Sequence, residues 1–198
     1  MLRGNRIILR DIQDSDIVSM AAWRNDPEVS KYFFDPAQVS VEEEKRWVET
    51  LLGRRDEILF IIAPTGNSNR PVGSAGFTEI DLENKRAEFG RFLIEPSSRG
   101  KGFGSEALFL SLLYAFLDLK LRRLYLEVYE WNAHARSLYE RFGFKHEGTF
   151  REHIYRDGHY HNAARYGLLE PEFRASEDRF RQMLGLTEGK LNSSSYDR

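Results

Sequence analysis

Leu93-Ile94-Glu95-Pro96-Ser97-Ser98-Arg99-Gly100-Lys101-Gly102-Phe103-Gly104-Ser105 joins an apolar extended run to a long apolar helical one, with three glycines and two cations at the junction. Glycine lets the backbone fold close and turn its free N–H groups toward one point, and the start of a helix adds its positive end. The product is an anion cradle whose natural occupant is a pyrophosphate. A tight turn that merely needs positive φ is the competing reading of the same glycines. The stretch lacks the Gly-Lys-Ser/Thr of a Walker loop. It also follows a run of antiparallel-type strands, where a dinucleotide fingerprint would sit on the first strand of a parallel array.

Working outward, Arg86–Ile94 reads as the strand before the loop, and Pro71–Asp81 and Glu57–Ala63 as its antiparallel predecessors. After the loop come an apolar helix to about Leu119 and a strand from Arg122 to Glu130, which closes a βαβ unit with parallel strands. Asn132 caps a helix that Gly143 stops, and two strands joined by Arg156-Asp157-Gly158-His159 follow. Upstream, Asn5–Arg10 is a strand, Asp14–Arg24 a helix, and Ser40-Val41-Glu42-Glu43 a capping box opening a second helix to about Leu52. Between those helices lies an aromatic loop, Tyr32-Phe33-Phe34, ending near Pro36. Residues 172–184 suggest an added helix, and 187–198, rich in serine and charge, a disordered tail.

The 198 residues suit one domain. With 29 Lys and Arg against 31 Asp and Glu the formal net charge is −2, so no global positive field exists to hold nucleic acid or an anionic membrane. The absence of cysteine removes disulfides, thiolate metal sites and Cys nucleophiles, and fits a reducing compartment. The first eleven residues carry no apolar targeting segment, and Ala107–Leu117 is too short to span a bilayer. The expectation is a cytoplasmic protein. Five histidines do not assemble a zinc-type spacing, so no metal is expected.

Arg99-x-x-Gly102-x-Gly104 after Leu93-Ile94-Glu95-Pro96 resembles the acetyl-coenzyme A loop of the GCN5-related N-acetyltransferases, the GNAT family. Tyr125–Val128, then Asn132-x-x-Ala135-x-x-Leu138-Tyr139-x-x-x-Gly143-Phe144-x-x-Glu147-Gly148, is similar to that family's later motif. The hairpin from Arg151 to Asn162 resembles its ribosomal-protein and small-amine branch, and the match in order and spacing runs from Arg6 to Leu169. The resemblance implies an α+β GNAT fold: a mixed, mostly antiparallel sheet of about seven strands, splayed between the fourth and fifth and flanked by helices. The domain would occupy residues 1–170, leaving a helix and tail at 171–198.

It further implies an enzyme that transfers an acetyl group from acetyl-CoA to a primary amine, without a metal. The pantetheine arm would enter the splay and bond to the backbone of the first strand, beside Phe92, Leu93 and Ile94. Arg99, Gly100, Lys101, Gly102, Gly104 and Ser105 would hold the phosphates, and Asn132 either the arm or only its own helix. Tyr139 is the candidate proton donor to the departing thiolate, with a packed core tyrosine as the alternative. Glu88 is the candidate base, on a strand face shared with Gly90, Phe92 and Ile94, with Glu79 as fallback. Gly90 is the candidate bulge that opens the splay.

For the acceptor, Trp23, Arg24, Phe33 and Phe34 suggest stacking and a phosphate partner, hence a nucleotide-linked amino sugar. Spermidine and ribosomal-protein N-termini are the alternatives within the family, and a catalytically silent acyl-CoA-binding module the alternative outside it. Neither nucleic acid nor membrane is an expected partner, and a homodimer is left open.

Overall fold

The computed structural model describes residues 1–35 and 38–186, so Pro36 and the expected tail at 187–198 lie outside the described residues. An eight-stranded sheet has the order β1-β2-β3-β4-β5-β6-β8-β7. Its strands are β1 (Leu2–Arg3), β2 (Ile7–Arg10), β3 (Ile58–Pro64), β4 (Gly73–Asp81), β5 (Arg86–Ile94), β6 (Arg123–Tyr129), β7 (Lys145–Arg156) and β8 (His159–Leu169). Two-residue β1 escapes a reading by pattern, because two residues carry no period. Every pairing is antiparallel except β5 with β6.

Helices α1 (Ile17–Asn25), α2 (Pro27–Ser30) and α3 (Val41–Leu52) cover one face. Ile17, Met20, Trp23, Val29, Val48 and Leu51 pack there on Leu59 and Ile61 of β3. Asp26 caps α2 through a bond from Glu28 N–H, and Ser40 and Glu43 form the expected reciprocal box at α3. The larger core lies on the opposite face, under α4 (Phe103–Leu113), α5 (Ala133–Arg141) and α6 (Glu170–Leu184). Helix α4 is apolar all round, as a helix buried on every side must be, and a π turn at Tyr114–Asp118 prolongs it. Phe173, Phe180 and Leu184 bring α6 into this core, so the helix expected as an appendage shares the main packing.

One irregularity positions everything that follows. Parallel pairing between β5 and β6 covers only Arg86–Glu88 against Arg123–Tyr125, after which the strands part. On its other edge β5 gains one residue relative to β4 between Gly90 and Leu93, and Arg91 there has φ +49°. The bulge therefore sits at Arg91, one residue beyond the expected Gly90, whose own φ is not positive. A side chain at Gly73, opposite, would put a Cβ 2.1 Å from the Leu93 carbonyl oxygen, so the bulged backbone needs glycine across from it.

Candidate active site

The extra residue at Arg91 exchanges the two faces of β5. Ala87 and Phe89 before it and Phe92 and Ile94 after it all pack on the α4 and α5 side, with the Phe89 and Phe92 rings 5.3 Å apart. Leu93 packs on the α1 and α3 side. Glu88 consequently does not share a face with Phe92 and Ile94, because strict alternation over 88–94 fails at the bulge. It points to the side of α1 and α3, paired with Thr78, whose hydroxyl donates to its carboxylate at 3.0 Å.

Beyond Glu88, β5 has no ladder partner on its β6 side, so its backbone groups there are open to an incoming extended chain. At the far end of this edge, Gly100 and Gly102 have φ +77° and +79°, and Gly102 is the N-cap of α4. The first N–H groups of α4 have no intrahelical partner and face outward with the positive helix end. The Cα of Gly104 closes on the strand: a Cβ would lie 3.6 Å from Ile94 Cγ1 and 3.8 Å from Phe92 Cζ. The glycine loop thus stands at the end of the free edge of β5, which places the two expected parts of a pyrophosphate-and-arm site side by side. Lys101 is exposed at its rim, while Ser105 lies in the first turn of α4. Arg99 turns away from the cradle, donating to the Ile94 carbonyl at 3.1 Å and the Glu28 carbonyl at 3.2 Å.

Tyr139 of α5 lies on the α4 and α5 face, its ring edge-on to Phe89 at 6.4 Å and to Phe144 at 5.8 Å. Burial raises its pKa well above the ordinary tyrosine value, which keeps the hydroxyl a proton donor. Asn132 caps α5, its side-chain oxygen accepting from Ala135 N–H at 3.2 Å, which is the structural half of the role expected for it.

On the opposite face Glu88 and Glu79, the candidate base and its fallback, belong to a polar cluster whose other members, Glu127 and Arg165, the sequence did not single out. Tyr125, Glu127 and Tyr129 alternate along β6 onto the side of Glu88. A second bulge, at Glu79 with φ +51°, turns that side chain to accept from the Tyr125 hydroxyl. Burial and the Glu79 contact push the Tyr125 pKa up to about 12. Glu127 accepts from Arg165 at 2.8 Å and lies 3.5 Å from His153. Arg165 stands 4.1 Å over the Tyr125 ring. Glu88 has a raised pKa, chiefly from burial, reinforced by Glu127 and Glu79 and opposed by Thr78 and Arg165. A charged residue inside the apolar run Leu124–Tyr129 was the signal that could have singled out Glu127.

The aromatic loop closes this side. Phe34 meets Tyr129 edge-on at 4.9 Å, and Tyr32 lies 5.7 Å from Trp131. Phe33 packs on the α1 and α3 core. Trp23 and Arg24 do not join them. Trp23 is buried in that core, and Arg24 turns to the buried Glu44 at 3.9 Å, whose pKa burial raises. The amphipathic helix needed an apolar anchor there, and a buried carboxylate needed a cation.

A parted pair of parallel strands with a glycine loop at their end and a tyrosine on the α4 and α5 face is the arrangement that the resemblance to N-acetyltransferases led one to expect. The chain belongs to the GNAT acetyltransferase domain family, whose model matches residues 6–145. It is 32% identical over 175 residues to an uncharacterized, SPbeta prophage-derived N-acetyltransferase of Bacillus subtilis, covering 86% of this chain and 93% of that one. It is 27% identical to the spermidine N(1)-acetyltransferase of Escherichia coli K12, covering 88% and 92%. Among solved structures, spermidine N-acetyltransferase from Vibrio cholerae in complex with CoA and spermine superposes with TM-score 0.80 at 26% identity, covering 85% of this chain and 98% of that one. Among the described residues no helix is long and apolar enough to cross a membrane.

Proposed function

We propose that this N-acetyltransferase takes acetyl-CoA as donor and a small polycationic amine of the spermidine type as acceptor. The observation that carries the reading is the convergence of Glu79, Glu88 and Glu127 beside the fork of β5 and β6, against the single guanidinium of Arg165. Such a wall carries more carboxylates than cations and favours ammonium groups over a phosphate, its Arg165 being already paired with Glu127. The similarity to spermidine acetyltransferases supports the same choice. It replaces the nucleotide-linked amino sugar, whose stacking platform and phosphate partner rested on Trp23, Arg24, Phe33 and Phe34; of these Trp23 and Phe33 pack in the α1 and α3 core and Arg24 turns to Glu44.

The two faces of the sheet divide the labour. The amine comes from the side of Glu88, whose raised pKa makes it a better base near neutrality than an ordinary glutamate. Glu88 removes the proton that an alkylammonium carries at pH 7, and the freed nitrogen bonds to the acyl carbon. As the carbon–sulfur bond breaks, a second proton leaves the nitrogen to give the amide and, through solvent, replaces the one that Tyr139 gives up. Tyr139, from the other face, gives its hydroxyl proton toward the sulfur. The cradle of Gly100, Gly102 and Gly104 and the open edge of β5 hold the donor, which supplies the activated acyl group. No enzyme nucleophile is required.

Thiol release from acetyl-CoA, measured across spermidine, a diamine, a monoamine, an amino-sugar nucleotide and an N-terminal peptide, tests the acceptor. The expected order of kcat/KM falls from the triamine to the monoamine, with the other two poorest. Preference for the sugar nucleotide or the peptide overturns the acceptor and leaves the acetyltransferase intact.

A further inference from the structure

Arg156 ends β7, at the turn of the β7 and β8 hairpin. Its side chain is 16% exposed, and its donors are turned from the carboxylates toward the backbone of the aromatic loop. One nitrogen, Nη1, donates both to the Ser30 carbonyl at 2.9 Å and to the Phe33 carbonyl at 3.0 Å. Ser30 is the last residue of α2, a helix of four residues; its carbonyl accepts from Phe33 N–H at 3.0 Å, and Arg156 adds a second, charged donor to it. The Nε atom pairs with Asp157 at 3.2 Å. Tyr129 adds a second tie, its hydroxyl donating to the Phe33 carbonyl at 3.4 Å. The hairpin thus reaches across more than a hundred residues of sequence to fasten the loop that carries Tyr32, Phe33 and Phe34.

We propose that Arg156 is a positioning residue for acceptor binding: by bonding the Ser30 and Phe33 carbonyls it latches the aromatic loop against β6 and so fixes the wall opposite Glu88. The amine meets that wall, whereas the coenzyme groove lies on the other side of the fork. The latch therefore acts on KM for the amine and leaves donor binding alone. The kinetic half rests on the acceptor reading above, and the structural half does not. Because a single nitrogen makes both bonds, a lysine ammonium can replace it, whereas alanine removes the charged donor from both carbonyls and leaves them only Phe33 N–H and the Tyr129 hydroxyl.

The experiment compares Arg156→Ala and Arg156→Lys with the wild type, by steady-state kinetics with spermidine and by hydrogen exchange of a peptide spanning residues 27–35. Arg156→Ala is expected to raise KM for spermidine roughly tenfold, the loss of about one charge-assisted hydrogen bond, with KM for acetyl-CoA unchanged and kcat within about twofold. Exchange in 27–35 should accelerate while α4 keeps wild-type protection, which also shows that the variant is folded. Arg156→Lys should restore most of both. Wild-type exchange in the alanine variant overturns the latch. Faster exchange with an unchanged amine KM overturns its role in binding. If the wild type acetylates no polyamine, the acceptor reading fails, and the exchange result still decides the latch.

Discussion

Glu88 shows how one residue's chemistry follows from its neighbours. It lies at the last rung of the β5 and β6 ladder, half-buried, with Glu127 and Glu79 near it and only the Thr78 hydroxyl bonded directly. Burial and like charge raise its pKa, so in the folded protein it binds protons more tightly than in the unfolded chain. The sign of the stability effect follows. As pH rises above the ordinary glutamate value, the unfolded state loses this proton first, and stability falls until the native group has also ionised. Glu88→Gln should therefore raise the melting temperature at pH 7 relative to wild type, and the gain should vanish near pH 4. The same substitution removes the proposed base. It should lower kcat by about 10²- to 10⁴-fold near neutrality and move the rate profile toward alkaline pH, where the amine is already neutral. An unchanged profile midpoint, read with spermidine across pH 6–10, would return Glu88 to a purely structural role.

At the scale of elements, the bulge in β5 is the device that makes the site. Gly73 permits it, since any Cβ there would run into the Leu93 carbonyl, part of the backbone that the bulge displaces. Gly73→Ala should cost about 1–3 kcal/mol in denaturant unfolding, the usual penalty for overpacking, and weaken acetyl-CoA in calorimetric titration by distorting the free edge of β5. Intact coenzyme affinity in a destabilised variant would separate the bulge from the groove. This is also where the sequence stopped being legible. The glycine loop could be read because its chemistry is local: Gly100 and Gly102 need positive φ, and both have it. The bulge was expected one residue early, at Gly90, because Arg91 is not a residue type that announces a left-handed conformation. Counting in twos from Glu88 then placed it with Phe92 and Ile94, on the wrong face. Helix α2 escaped for another reason, being set by one Asp26 cap and a proline over a single turn. Trp23 looked like a pocket residue because an aromatic on an amphipathic helix carries no mark that distinguishes a core anchor from a wall.

Taken whole, the molecule is nearly neutral, with a formal charge of −2 spread over 198 residues, so its overall field contributes little to the capture of a charged substrate. The acidic wall is local. Glu79, Glu88 and Glu127 draw together where the two parts of the sheet separate, and the neighbouring Arg123 and Glu147 neutralise each other. Attraction between this wall and a polycation acts over a few ångströms to about a Debye length, roughly 10 Å at 0.1 M salt and 3 Å at 1 M. An acceptor with one ammonium, which must be neutralised before attack, keeps no charge for the wall to hold. One with three keeps two. Raising salt from 0.05 to 0.5 M should therefore lower kcat/KM for spermidine several-fold while leaving that for a simple monoamine nearly level, with the difference residing in KM. Glu127→Gln should flatten the spermidine curve, since it removes one of the three charges; because Glu127 also raises the pKa of Glu88, each enzyme is compared on the plateau of its own rate profile. Parallel salt curves for the two amines would mean that the carboxylates serve the fold and the proton transfer alone, and that acceptor choice is made by the aromatic loop.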